Sequence, residues 1–414
     1  MRMIEISKEK FEEFANKTPY SNYCQTANYG MVMSETGFDY SFVAYTTNDL
    51  EILAAGMFLT KKIGKRYYYA YCPKGFIIDY NDTELVRKFT RNLIKYYKRK
   101  KIIFLKINPE IPIATIDYKN NFERITNENT NILDSLKNLG FKKRKELIPL
   151  ELLQPKLTAL VNLREYDVNK LEKKIRSNIL KSENNGLELI IGDGTKVEIL
   201  YEFIKNMKDR SLSYYRNFYN TFKRSELADL LLVKVNYETY LINAKKRVEE
   251  EQVKNEELNE RLRNDTSEKN LNEKMNSDRA LEQYKQDVIY ATEGMKKTED
   301  TYIAGAITVK YKDKVSIFIA GVDKNYNYLN PNYFLHHKIF EMYKNDYNIC
   351  DINGIADDFE NESKFKGLNR FKIGFNPEIV EYIGELDLVI NNWGFKRVEK
   401  NNLLSNEFTK KKDV

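Results

Sequence analysis

The chain has 414 residues, of which 42% are hydrophobic and 13% aromatic, and its formal net charge is +7. This length favours two or three folding units, and this apolar content excludes a globally disordered chain. The charge is a modest bias toward anionic partners such as nucleic acid or phospholipid. The three scattered cysteines and the adjacent pair His336 and His337 predict neither a disulfide framework nor a metal site. The charged first residues and the lack of a long apolar run predict a cytosolic protein without a membrane span.

Residues 1–153 predict a sheet packed against helices. The predicted strands are 41–47, 51–61, 66–72 and 101–107, and the first two are typical of an antiparallel pair. Asp82 opens a predicted helix whose apolar residues recur at four-residue spacing. A sheet with packed helices predicts an α/β or α+β unit.

A second unit of the same kind is predicted for residues 154–239 and 298–395. The predicted strands are 157–163, 187–192, 301–311, 315–322 and 347–353. A basic helix is predicted over 167–185 with Gly186 as its C′ glycine, and Thr195 is predicted to cap the next helix. The last predicted helix covers about 332–345, and residues 396–414 are predicted to form a lysine-rich tail.

Residues 240–297 differ from both units because they lack proline and are densely charged. Apolar residues from Leu281 to Met295 alternate three- and four-residue steps, which is typical of a coiled-coil seam. A turn is predicted at 264–267. We interpret the segment as an antiparallel two-helix coiled-coil arm inserted into the second unit, because strand patterns resume directly after it. One long helix and a dimerising coiled coil are the alternatives.

Two stretches contain candidate catalytic residues. In GLNRFKIGF (367–375), Phe371 and Lys372 lie between two glycines, which permit a tight turn or a close approach of the backbone to a ligand. A lysine beside an aromatic ring can hold an anion or carry a proton, although most such lysines are solvated surface groups. In YCPKGFIIDY (71–80), Asp79 follows a strand exit and could orient or deprotonate an amine. Turn and helix-cap chemistry explains this aspartate equally well.

Two basic segments favour contact with phosphate, although a solvated helix face explains each of them as well. The first segment contains Lys173, Lys174 and Arg176, and the second contains Arg210, Arg216 and Tyr219 among further aromatic residues. No nucleotide-binding glycine motif and no hydrolase nucleophile motif is present, so no cofactor is predicted. A site of Asp, Lys, Tyr and Arg suits transfer of an already activated group, for which positioning and charge stabilisation suffice.

The order and spacing of seven short motifs, from about Gln25 to Gly384, resemble those of the Fem ligases (FemA, FemB and FemX). The motifs are Tyr71-x-Pro-Lys-Gly-x-x-x-Asp79, Phe104-Leu-Lys-Ile-x-Pro109, Gln154-Pro-x-Leu-Thr158, Lys174-Ile-Arg-x-Asn-Ile179, Asp351-x-x-Gly354, Gly367-Leu-x-x-Phe-Lys372 and Glu381-Tyr-Ile-Gly-Glu385. The resemblance implies a pair of N-acetyltransferase-like (GNAT) α/β units with a helical arm in the second.

The resemblance also implies an activity, which is transfer of an amino acid from aminoacyl-tRNA to an amine on the stem peptide of a lipid-linked peptidoglycan precursor. Such an enzyme builds the interpeptide bridge of the cell wall without a cofactor. The expected location is the cytoplasm, with any membrane contact peripheral, at the inner face of the plasma membrane. The oligomeric state is left open between monomer and homodimer.

Carried over by motif, the resemblance implies that Lys372, with Phe371 beside it, and Asp79 act in catalysis. It implies substrate contacts for Arg210, Arg216, Tyr219, Tyr71 and Lys74, and tRNA contacts for Lys173, Lys174 and Arg176. The sequence departs from the family pattern where Lys74 replaces an arginine, where Phe76 replaces a proline, and where residues 31–36 lack a lysine. These departures favour a second hypothesis, a catalytically defective tRNA- or partner-binding protein of the same fold. A third hypothesis is a dimeric coiled-coil scaffold.

Overall fold

The structure is a computed structural model, and it describes residues 1–143, 155–207, 210–359 and 365–400. The strands are β1 (Arg2–Glu5), β2 (Asp39–Thr46), β3 (Ile52–Ile63), β4 (Tyr67–Cys72), β5 (Ile102–Ile107), β6 (Pro112–Asp117), β7 (Glu123–Thr126), β8 (Phe141–Lys143), β9 (Leu157–Asn162), β10 (Leu187–Gly192), β11 (Ala228–Val235), β12 (Tyr302–Tyr311), β13 (Lys314–Val322), β14 (Ile349–Ile355), β15 (Glu378–Tyr382) and β16 (Leu386–Val389). The helices are α1 (Lys8–Lys17), α2 (Ala27–Ser34), α3 (Thr83–Arg99), α4 (Thr130–Asn138), α5 (Lys173–Asn184), α6 (Val197–Ile204), α7 (Leu212–Lys223), α8 (Tyr237–Asn264), α9 (Glu268–Gly294), α10 (Pro331–Tyr343), α11 (Lys366–Ile373) and α12 (Asn392–Lys400). Among the described residues, no helix is both long and apolar enough to cross a bilayer.

The strands of the described chain form two mixed sheets. The first has seven strands in the order β1-β2-β3-β4-β5-β16-β8, and the second has nine in the order β10-β11-β12-β13-β14-β9-β15-β6-β7. Each sheet contains one parallel pair, β4 with β5 and β13 with β14, among antiparallel neighbours. The β13–β14 pairing covers Lys314–Ser316 and Ile349–Asp351. All the strands predicted from the sequence are present.

The two sheets exchange strands across the predicted boundaries of the units. β6 and β7 lie within residues 1–153, yet they pair in the second sheet through β15. β16 lies within 298–395, yet it inserts between β5 and β8 of the first sheet. The boundary predicted at 153/154, Gln154 of its motif and residues 401–414 of the predicted tail lie outside the described residues. The two sheets are therefore built from interlocked stretches of chain.

Helices cover both faces of each sheet and supply its core. α3 packs on one face of the first sheet through Val86, Phe89 and Leu93, and the Asp82 side chain caps it by accepting from the Leu85 amide. α1, α2 and α12 lie on the opposite face. In the second sheet, α5 and α10 cover one face, and α6 and α7 cover the other. These layers bury the apolar stripes that the sequence periodicity indicates.

Two local predictions are corrected by the geometry of the helix ends. Gly186 follows α5 with φ +69°, as a C′ glycine should, but α5 begins at Lys173 rather than at 167. Thr195 does not cap α6. Instead the Asp193 side chain accepts from the Thr195 amide and forms a 3₁₀ turn that leads into the helix.

The predicted arm is a pair of antiparallel helices, α8 and α9. Tyr240 donates to Asp287, and Asn255 donates to Ser277, so residues early in α8 meet residues late in α9. The turn falls between Asn264 and Glu268, as predicted. β11 and β12, which flank the arm, pair directly with each other, so the chain leaves and re-enters the sheet at one place.

Candidate active site at the junction of the two sheets

Hydrogen bonds and aromatic packing fix the turn that follows β4. The buried Gln25 side chain donates to the Pro73 carbonyl at 2.6 Å and accepts from the Met57 amide at 2.8 Å. Phe76 is 1% exposed and packs against the rings of Phe58 and Phe89. Packing and hydrogen bonds therefore fix this turn although Phe76 replaces the proline of the family pattern.

Asp79 lies at the end of the same turn and is half-buried. One carboxylate oxygen accepts from the Asn81 amide at 2.9 Å, and the carboxylate also accepts from the Tyr20 hydroxyl. Burial, together with the hydrogen bond and the charge of Asp79, raises the pKa of Tyr20. The carboxylate is thus oriented by its neighbours and remains partly accessible, as a hydrogen-bond acceptor for an amine must be.

An ion triad joins the turn to the second sheet. The Glu110 carboxylate lies 3.0 Å from Lys74 Nζ and 2.9 Å from Lys314 Nζ, and Asn22 donates to it at 2.8 Å. Burial alone would raise the pKa of Glu110, but attraction by the two lysines outweighs it and holds the pKa below the ordinary value. The triad carries a net positive charge. The Lys74 ammonium also lies 5.4 Å from the centre of the Tyr382 ring.

A cavity of about 410 Å³ lies beside this triad, between the sheets. Its walls include Asn22 and Glu110 from the first half of the chain and Lys314, Glu378 and Tyr382 from the second. This volume is in the range of small-ligand sites, and the lining combines apolar surface with a few polar groups. The junction can therefore hold part of a polar substrate.

Lys372 lies on α11, on the second sheet. Its side chain is 8% exposed, and Nζ donates to the Gly354 carbonyl at the end of β14 over 2.6 Å. The neighbouring Phe371 ring is held edge-on by Tyr333 and His336, with centroids 5.1 and 4.9 Å apart. A buried ammonium in a fixed position is suited to stabilise developing negative charge.

The stretch around Lys372 is a helix rather than a glycine-permitted turn. Gly367 lies inside α11, and Gly374 ends it with a right-handed φ of −58°. A Cβ at Gly374 would lie 2.6 Å from Ile175 Cδ1 of α5, so α11 and α5 pack closely at this glycine. The expectation of a tight turn is wrong, and a close approach of this backbone to a ligand stays a prediction.

His336 is a neighbour of Lys372 to which the sequence reasoning gave no role. Its Nδ1 lies 2.9 Å from the Asn332 carbonyl oxygen, so Nδ1 carries the hydrogen. Burial, aided by the positive charge of Lys372, lowers the pKa of His336 to about 4. The imidazole is therefore neutral at physiological pH, and it places no second positive charge beside Lys372.

The predicted tRNA-binding cations lie next to α11. Lys173, Lys174 and Arg176 are exposed in the first turns of α5, while Ile175 between them packs against Gly374. The cations add to the positive end of the helix dipole, and Glu172 at the N-cap of α5 offsets part of this charge. This basic face flanks the helix that carries Lys372.

The predicted substrate contacts on and near α7 divide into two groups. Arg210 and Arg216 are exposed, with the Arg210 guanidinium 4.8 Å from the Tyr214 ring centre. Tyr219 is 1% exposed and donates its hydroxyl to the Gly192 carbonyl. Tyr71 is likewise buried, and its hydroxyl donates to Asn108 at 3.2 Å. The two arginines are on the surface, although Arg216 lies 3.5 Å from the Glu198 carboxylate, whereas the structure places both tyrosines in the core with their hydroxyls engaged.

The chain is similar to known proteins over nearly its whole length. The model of the FemAB family matches residues 6–400 of the chain. The chain belongs to the FemAB family. It is 25% identical over 412 residues to aminoacyltransferase FemA of Staphylococcus epidermidis, covering 94% of this chain and 96% of that protein. It is 24% identical over 416 residues to aminoacyltransferase FemA of Staphylococcus aureus, with the same coverage.

The solved structure of FemX has the same fold. It superposes with a TM-score of 0.73 at 20% sequence identity, covering 96% of this chain and 100% of that one. The resemblance to the Fem ligases and the predicted α/β fold class are confirmed. The FemAB membership and the named relatives also confirm that the chain is an aminoacyltransferase.

Within the described residues, the structure brings some predicted site residues together and leaves others apart. Lys74 and Asp79 share one turn, and Lys372 and the basic face of α5 are neighbours. Asp79 follows β4 of the first sheet and Lys372 lies on the second, and the link between them runs through Glu110, Lys314 and β14. Glu110 and Lys314 were missed because their pairing spans 204 residues and neither lies in a charged motif.

Proposed function

We propose that this FemAB protein transfers an amino acid from aminoacyl-tRNA to an amine on the stem peptide of a lipid-linked peptidoglycan precursor. The observation that carries the proposal is the Lys372 ammonium, buried at the end of β14 and flanked by the basic face of α5. This arrangement suits the ester end of a charged tRNA. The name FemA, shared by the relatives, supports interpeptide-bridge formation as the purpose of the transfer.

In the proposed reaction, the amine lone pair attacks the ester carbonyl and forms the new C–N bond. Lys372 stabilises the resulting oxyanion, and the ester C–O bond then breaks. Asp79 orients the amine and accepts its proton, and this proton passes to the ribose oxygen as that oxygen leaves. A single well-placed donor to such an oxyanion is worth about 3–4 kcal/mol.

The remaining groups bind the two substrates. Lys173, Lys174 and Arg176 contact tRNA phosphates, since cations at a helix N-terminus attract anions strongly. Arg210 and Arg216 contact the sugar-phosphate part of the precursor, because a guanidinium pairs with phosphate oxygens in a bidentate manner. These roles leave Tyr71 and Tyr219 as packing residues.

The test is transfer of labelled amino acid from a panel of charged tRNAs to a lipid-linked precursor. We expect label in the precursor with at least one tRNA, and the panel identifies the amino acid. Binding of charged tRNA without transfer to any acceptor would instead support the catalytically defective binding protein. The ion pair that Lys74 makes with Glu110 argues against that alternative, because Lys74 supplies a paired cation where the family pattern has an arginine.

A further inference from the structure

The single tryptophan of the chain, Trp393, is exposed on α12. The helix docks through its other face: Gly394 lies against Ile103, and the Phe395 ring meets Phe104 edge-on at 5.5 Å. Trp393 itself is 65% exposed and meets Tyr67 edge-on, with centroids 6.5 Å apart. Packing of α12 does not require a large aromatic side chain at this position.

Cations lie on the same helix as this tryptophan and at the adjoining strand ends. The Arg397 guanidinium lies 5.4 Å from the Trp393 ring centre. Arg66 directly precedes Tyr67, and Lys101 lies beside the same strand end, because its carbonyl accepts from the Tyr68 amide. We call this region the Trp393 surface, and its exposed members are Lys65, Arg66, Lys101, Trp393, Lys396, Arg397 and Lys400. Glu399 is the acidic residue of α12, so the helix keeps a net positive charge.

We propose that the Trp393 surface docks the protein on the face of an anionic phospholipid bilayer. Tryptophan favours the interface between water and lipid because its ring is largely apolar and its N–H can stay hydrated. Clustered lysines and arginines add attraction to anionic head groups, and stable peripheral binding takes such a second signal. The Trp393 surface supplies both signals within one helix and the adjoining strand ends.

The position of this surface favours lipid over RNA as its partner. It lies at the starts of β4 and β5, whereas the turn with Lys74 and Asp79 follows the end of β4. The 6 residues of β4 separate the Trp393 surface from this turn by about 20 Å. The basic face of α5, next to Lys372, belongs to the other sheet. The choice of partner rests on the proposed function, since an acceptor anchored in lipid projects its peptide away from the bilayer.

The experiment uses the intrinsic fluorescence of Trp393, which reports on this surface alone. The full chain is titrated with phosphatidylcholine vesicles and with vesicles that also contain phosphatidylglycerol. We expect the emission to shift to shorter wavelength only with the anionic vesicles, and to be quenched when their acyl chains are brominated. An unshifted emission with anionic vesicles would overturn the proposal, as would a shift caused by tRNA but not by vesicles.

Charge-reversal variants locate the binding surface. Vesicle sedimentation of K396E/R397E should show binding weakened by at least about thirtyfold, because each cation near an anionic bilayer is worth about fivefold in affinity and the added carboxylates are repelled. K245E/K246E, two exposed lysines on the arm, has the same change in net charge and should bind as the unaltered protein does. Equal loss in both variants would overturn the assignment to this surface.

The proposed function can be tested separately from the docking proposal. Transfer by the unaltered protein to the lipid-linked precursor dispersed in neutral detergent needs no bilayer. Absence of that transfer would count against the enzyme reaction, whereas absence of vesicle binding would count against the Trp393 surface. Thermal unfolding of each variant shows that the compared proteins are folded.

Discussion

Replacement of Lys372 by methionine is the most informative change in the candidate site. It removes one buried ammonium and leaves most of the side-chain stem in place. Loss of the charge-assisted hydrogen bond to Gly354 lowers the free energy of unfolding by about 1.5–3 kcal/mol. If the ammonium also stabilises the oxyanion, the transition state loses about 3–4 kcal/mol more than the ground state does. That difference is a fall in rate of about 10²–10³-fold.

The assay is single-turnover transfer from aminoacyl-tRNA at saturating precursor, with urea unfolding measured in parallel. We expect the Lys372→Met protein to fold, to bind tRNA and to transfer about 10²–10³-fold more slowly. Lys338→Met is the matched control, because Lys338 is a half-buried lysine of α10 whose ammonium also has a local partner, Glu183 at 2.5 Å. Its transfer rate should stay within about twofold of the unaltered protein.

Two outcomes would refute this assignment. Transfer at the unaltered rate by Lys372→Met would show that the ammonium takes no part in the reaction. An equal loss in Lys338→Met would show that the rate follows packing around α10 rather than the charge at Gly354.

Three further changes test the rest of the site. Asp79→Asn keeps a hydrogen-bond acceptor in the turn but removes the base, so transfer in the same assay should fall about 10²–10⁴-fold. Glu110→Gln leaves its two lysine partners facing each other, so urea unfolding near pH 7 should show a loss of about 3–5 kcal/mol. Because the folded pKa of Glu110 is below its ordinary value of 4.5, this loss should shrink as the pH falls below that value. Alanine at the three cations that begin α5 should lower the salt slope of tRNA binding by about 0.7 for each phosphate that the protein no longer neutralises, and equal slopes in filter binding would contradict that role.

The sequence predicts elements well where a residue pattern repeats over several turns or strand pairs. Asp82 and the four-residue apolar spacing after it predict α3, and the turn at 264–267 predicts the antiparallel arm. GLNRFKIGF is harder because α11 has eight residues, too few for a clear helical period, and its glycines suggest a turn. The distant contact with Ile175 decides the conformation there, and local propensity does not contain that information.

The candidate site likewise contains residues that the sequence points to and residues that it does not. Lys372 and Asp79 can be predicted because each lies in a short motif with its own spacing. Glu110 and Lys314 cannot, because a buried ion pair depends on which strands become neighbours and not on the residues beside each partner. The sequence gives His336 no role, and its contact with Phe371 becomes visible once α10 and α11 are packed together.

The interlocked strands explain why the site depends on long-range pairing. The chain leaves the first sheet after β5, passes Glu110 and joins the second sheet as β6. β16 returns from the second half of the chain to pair with β5. Because both crossings are fixed by main-chain hydrogen bonds, the turn that carries Asp79 cannot move far relative to β14 and Lys372. A hinge between two independent units would allow the distance between Asp79 and Lys372 to change. In the proposed function, the exchange of strands therefore holds Asp79 and Lys372, almost three hundred residues apart, in a fixed relation to each other.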